Sequence, residues 1–244
     1  YWGDSTGHLY NIAPDLDDRK DCLNLLYGTV PLYWVSQPFS FRWSDEKLRQ
    51  RLLTSYFVTC PVQERVVFDE MVDYRYVTED RAVHQSRFAG GLTVTVNFGE
   101  KPYAVKAEGK DYELPQFGFL AVGKGVLAYR ALIDGRTVTW VQTPAVLFAD
   151  PGGEAFDFGL MRGAGRTAVE MEEEGRVRVI ALEGKPAELN LRGWATTWGP
   201  RGVGVYDEDD NMAILSPAQG RWAGDWLSLP REARTAQLVF GKAL

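Results

Sequence analysis

With 244 residues, 45% of them hydrophobic and 25% charged, the chain can bury one large core or two of ordinary size. Its formal charge of −6 speaks against a nucleic-acid partner or an anionic lipid surface, since both recruit a face of Lys and Arg. No apolar run approaches the roughly 18 residues that would suggest a spanning helix, so no membrane span is expected.

The chain starts Tyr-Trp-Gly, and a start without methionine reads as processed, proteolysed or excised. Tyr1 to Asp18 is loop-like, rich in Gly, Asp, Asn and Pro. Asp17 or Asp18 can cap a helix running to Tyr27, and Gly28 suits the left-handed position that closes it. Val30 to Val35 is a short apolar run with Pro31 near its start and Pro38 beyond its end, and reads as a buried strand. Ser44 then caps a second helix with Asp45 and Glu46 in its first turn. Leu48, Leu52 and Tyr56 give that helix an apolar stripe, Leu53 and Phe57 widen it, and Pro61 ends it near Thr59.

Beyond Val62 the pattern becomes short strands about ten residues apart, the grammar of a sandwich or barrel. Leu92, Val94, Val96 and Phe98 alternate with Thr93, Thr95 and Asn97, the period of a half-buried strand. Ala89-Gly90-Gly91 turns it back on Ala82 to Phe88, and Asp134-Gly135 is a strong hairpin signal. Asp150-Pro151-Gly152-Gly153 marks the best boundary, which Arg162-Gly163-Ala164-Gly165 prolongs. The fold class expected is mainly β: an α/β lead-in over residues 1–60, a β-sandwich over 61–150 and a smaller one over 151–244.

Few residue patterns carry chemistry. Cys22 and Cys60 could pair, but nothing in their spacing requires it and two buried free thiols is the simpler reading; with only His8 and His84 neither a metal site nor another cofactor is expected. Asp4 and His8, in a loop shaped by Gly3 and Gly7, are candidates for meeting sugar hydroxyls. Asp69 and Glu70 would face opposite ways on a strand, Asp80 belongs to a turn, and His84 fits a hydrogen-bonded, half-buried position. Trp194 and Trp198, like Trp222 and Trp226, are spaced by four in Gly-rich segments. They close the core of the last β unit or stack on a sugar ring. Serine-nucleophile elbows and phosphate loops do not occur.

Thr59-Cys60-Pro61, Asp69-Glu70-Met71, Asp80 to Phe88, Val94-Thr95-Val96-Asn97-Phe98 and Leu114-Pro115-Gln116-Phe117-Gly118-Phe119 occur in that order. Over residues 20–122 the chain resembles large bacterial glycoside hydrolases of the type related to family 101 endo-α-N-acetylgalactosaminidases. The resemblance implies the end of a (β/α)8 barrel followed by β-sandwich domains, with Val30 to Val35 as the last barrel strand. Ser36 and Gln37 would then border a sugar pocket, as residues at the C-terminal ends of barrel strands do. The partners it implies are a glycan substrate and the rest of a parent polypeptide. It carries no catalytic residue onto this chain. The substrate-binding candidates are Asp4, His8, Gln37, Trp194 and Trp198, and the rival expectation is a non-catalytic carbohydrate-binding or cell-surface module.

Overall fold

The computed structural model describes residues 17–31, 33, 45–171, 176–190, 198–206, 212–215, 221–223, 226–229 and 235–242. The fold is mainly β, with strands in antiparallel sheets and two helices among the described residues. It divides into two compact units, Tyr1–Thr143 and Pro144–Leu244. Asp150 to Gly153 therefore lies inside the second unit.

Among the described residues of the first unit, α1 comes first, Asp18–Tyr27. Asp17 is its N-cap and accepts from the Lys20 N–H. Gly28 closes it at φ 65°, a left-handed value that costs glycine little. Helix α2 spans Glu46–Val66, and Asp45 caps it by accepting from the Leu48 N–H. Pro61 does not end this helix but sits inside it. A proline costs the helix one backbone hydrogen bond, and Pro61 offsets that by being buried beside Val58 and Val62. The buried face also differs from the expected stripe. Leu52 and Phe57 are buried, but Tyr56 is 40% exposed, and Ser55, Thr59 and Gln63 are buried instead. Hydroxyls suit that face because it meets Asp21 and Asn24 of α1 and Tyr33.

Of the expected strand at Val30 to Val35, Val30, Pro31 and Tyr33 are coil and the rest lies outside the described residues. Val30 is 60% exposed, which corrects the expectation of a buried strand at the described residues. The physical reason is that Pro31 has no N–H for a ladder, while Tyr33 is held by side-chain bonds to Ser55 and Thr59.

Eight strands follow in this unit: β1 Met71–Tyr76, β2 Val83–Phe88, β3 Thr93–Asn97, β4 Tyr103–Ala107, β5 Lys110–Leu114, β6 Gly118–Gly123, β7 Val126–Ile133 and β8 Arg136–Gln142. They pair in the order β1-β2-β3-β6-β7-β8, while the β4–β5 hairpin joins through Glu113 opposite Leu132. Helix α1 lies against β2, β3 and β6, and α2 against β7 and β8. Strand β3 is therefore not half-buried as its alternation suggests. Val94 and Val96 are buried on one side, and Thr95 and Asn97 on the other. Asn97 explains how a polar side chain is tolerated there. Its amide nitrogen lies 2.8, 2.9 and 3.2 Å from the carbonyls of Lys101, Leu114 and Pro115, and its oxygen accepts from the Gly99 N–H.

The second unit holds β9 Val146–Asp150, β10 Phe156–Asp157, β11 Met161–Gly163, β12 Arg166–Met171, β13 Arg176–Glu183, β14 Glu188–Asn190, β15 Trp198–Tyr206, β16 Met212–Leu215, β17 Arg221–Ala223, β18 Trp226–Ser228 and β19 Thr235–Lys242. Within it β9-β12-β13-β19-β15-β16 follow one another in one sheet, and β10-β11-β14-β18-β17 form another. Phe148, Ala168, Val169, Met161, Leu189 and Leu227 are fully buried between and along these strands. Arg162 to Gly165, expected to prolong a break, is instead a close crossing. A Cβ on Gly165 would overlap the Lys185 carbonyl oxygen, so glycine is there for backbone approach.

Candidate functional site

Four of the five expected substrate-binding residues, Asp4, His8, Gln37 and Trp194, lie outside the described residues. Trp198 is the first residue of β15 and pairs with Lys242 of β19. Of the other indoles, Trp226 on β18 is half-buried. Its ring is covered by the Arg162 guanidinium, whose central carbon lies 4.2 Å from the ring centroid. That face is therefore occupied by a cation, a contact worth about 0.5–2 kcal/mol.

Beside the covered indole is a concave feature. A cavity of about 850 Å³ lies in the second unit, within the range of about 300–1,000 Å³ usual for ligand sites. Its walls come from the turn after β9, from β10, from β11 into the start of β12, and from the loop between β13 and β14. Arg166 donates from Nε to Asp150 at 2.9 Å and reaches Glu183 at 3.4 Å. Arg162 donates from Nε to Glu188 at 2.7 Å, and Glu188 also accepts from the Ser228 hydroxyl at 2.7 Å. The Ser228 hydroxyl and Arg162 together hold the Glu188 carboxyl below the ordinary glutamate range. Phe156 supplies an apolar wall and meets Phe158 edge-on with centroids 4.6 Å apart.

A second polar group is buried where the helices of the first unit meet. Asp21 is fully buried and accepts from Ser55 and Arg51, each at 2.5 Å. Arg51 and Arg130 also reach Asp18, at 3.3 and 2.8 Å. Burial pushes the Asp21 carboxyl above the usual aspartate range, against the pull of the two arginines and Ser55. The chain continues from Ser55 to the Tyr33 hydroxyl at 3.1 Å and on to Thr59 at 3.0 Å. Cys22 is buried and sends its thiol to the Phe117 carbonyl, and burial raises its pKa strongly. Cys60 is only half-buried, and neither cysteine is in a disulfide. These groups are joined to one another across α1 and α2, so this network reads as a brace.

His84 is half-buried and hydrogen-bonded, as its strand position suggests. Its Nε2 lies 2.9 Å from the Arg81 carbonyl, which only accepts, so Nε2 carries the proton. Nδ1 then accepts from the Tyr74 hydroxyl at 2.8 Å. Tyr76, 48% exposed, packs edge-on to His84 and carries Arg81 over its ring. Asp69 accepts from Lys124 at 2.7 Å and from the Gly90 N–H, clamping two turns. Asp80 accepts from Thr78 and from the Ala82 N–H within its own turn, and these bonds lower its pKa.

No family model matches the chain, and no curated protein matches it significantly.

Asp150 to Gly153 and Arg162 to Gly165 read in the sequence as a boundary and not as a cavity, because their partners Arg166, Glu183 and Glu188 are scattered along the chain. The one local signal was the cluster of glycines at residues 152–153 and 163–165, which form part of the cavity lining.

Proposed function

We propose that the chain is an accessory, non-catalytic C-terminal part of a glycoside hydrolase, supporting the catalytic barrel and contacting glycan. One observation carries this reading. Three of the motifs on which the hydrolase resemblance rests, Asp80 to Phe88, Val94 to Phe98 and Leu114 to Phe119, meet at Asn97, which pairs with Val83 and whose side chain gathers the carbonyls of Leu114 and Pro115. Cys22 adds the Phe117 carbonyl to the same region. Segments far apart in sequence thus form one hydrogen-bonded unit beside α1, the kind of shared framework that a common ancestry would preserve as a set. What supports the non-catalytic reading is that, among the described residues, Asp21, Asp69, Asp150 and Glu188 are each paired with a cation.

The rival is an independent carbohydrate-binding module, favoured by the cavity of the second unit. The mass of the native polypeptide separates the two. An antibody against this chain should detect in its source a product far heavier than 27.4 kDa, and immunoprecipitating it should remove glycosidase activity from the extract. A native product of 27.4 kDa would eliminate the hydrolase-tail reading and leave the module.

A further inference from the structure

We propose that the cavity of the second unit is a binding site for a neutral oligosaccharide. This rests on the reading that the chain contacts glycan, and names where and what kind. Three cationic side chains line the cavity, Arg162, Arg166 and Lys185, and four anionic ones, Asp150, Asp157, Glu183 and Glu188. With the two signs nearly balanced, the site offers neither a strongly anionic nor a strongly cationic ligand much net attraction. It suits a ligand that is itself both donor and acceptor, and a sugar hydroxyl is both.

Geometry sharpens this. Arg162 is fixed twice, by its Nε bond to Glu188 and by the Trp226 ring against its face. Its terminal nitrogens make no hydrogen bond among the described residues, and 39% of the side chain is exposed. A planar fork held from behind loses little freedom when it grips two vicinal hydroxyls. Arg166 and Asp150 are likewise held by each other, and Glu183, 64% exposed, leaves carboxylate oxygen facing solvent as an acceptor. Phe156 gives the apolar wall on which the C–H face of a pyranose rests. The glycines at 152, 153, 163 and 165 keep the walls free of side chains.

The test is calorimetric titration of the intact 244-residue chain with maltotriose, cellotriose, xylotriose and chitotriose, with trigalacturonate as the anionic control. At least one neutral trisaccharide should bind saturably, and trigalacturonate should not bind better. Arg162→Lys keeps the charge and loses the fork, and should weaken binding at least tenfold. Phe156→Ala should do so independently, with melting temperatures of both variants recorded to show that they fold. Binding that neither variant weakens places the glycan elsewhere: it overturns this site and leaves the broader glycan reading standing. No binding of any probe overturns both. Preference for trigalacturonate overturns the neutral class.

Discussion

Asp21 and Glu188 are both carboxylates facing arginine, yet burial gives them opposite acid–base behaviour. Asp21 has no contact with water, so desolvation outweighs the pull of Arg51 and Arg130. Removing it leaves two arginines sharing the half-exposed Asp18. Asp21→Ala should therefore destabilise the first unit by about 3 kcal/mol, the low end for breaking a buried pair, as Asp18 remains. Asp21→Asn, which can still accept from Ser55, should cost less, and urea denaturation of the two variants checks the order. Glu188 is partly exposed and its pKa is lowered, so its sign is that of an ordinary paired acid. The stability it adds is complete above its unfolded value of 4.5 and is lost as pH falls through the lower folded value. Thermal melts between about pH 5 and 3 should show a steeper acid loss for the wild type than for Glu188→Gln, whose side chain has no such proton to take up. Equal slopes would mean that the Arg162 pair adds nothing.

At the scale of elements, the turns show how far a residue pattern reaches. Asp134 and Gly135 have φ of 53° and 78°, both positive, as the hairpin signal implies. A Cβ on Gly135 meets nothing within 4 Å, so Gly135→Ala should cost about 1 kcal/mol of backbone strain alone. Gly123 differs, because at φ 120° its Cβ would also overlap the Gly91 carbonyl. Gly123→Ala should cost about 3 kcal/mol or more. Chemical denaturation of both variants measures the gap, and equal costs would show that the sheet yields at Gly91. Local rules of this kind made the caps of α1, the Asp134 hairpin and the turn between β2 and β3 legible from sequence, because each is settled within a few residues. They failed where distant chain decides. Pro61 sits within α2 because burial offsets its missing hydrogen bond, and β3 is buried on both faces because α1 and the Asn97 contacts cover them. Strands β10, β11, β17 and β18 span only two or three residues each, too short for any alternation to register. The cavity was illegible for the same reason, since its arginines acquire meaning only through carboxylates up to 26 residues away.

For the whole molecule, two compact units raise the question of whether they melt together. Each has its own fully buried phenylalanine: Phe119 on β6 in the first and Phe148 on β9 in the second. Replacing a buried phenylalanine by alanine costs about 3–5 kcal/mol, from lost transfer energy and the cavity left behind. If each unit owns its core, that cost stays within the unit that bears it. Scanning calorimetry of the intact chain should then resolve two transitions. Phe119→Ala should lower only one, and Phe148→Ala only the other, each leaving the second endotherm within a degree or so of wild type. A single endotherm displaced by either substitution would mean one cooperative body. The glycan test gains from the same measurement. A neutral trisaccharide seated in the second unit should raise only the transition that Phe148→Ala lowers, because a ligand stabilises the folded form that holds it.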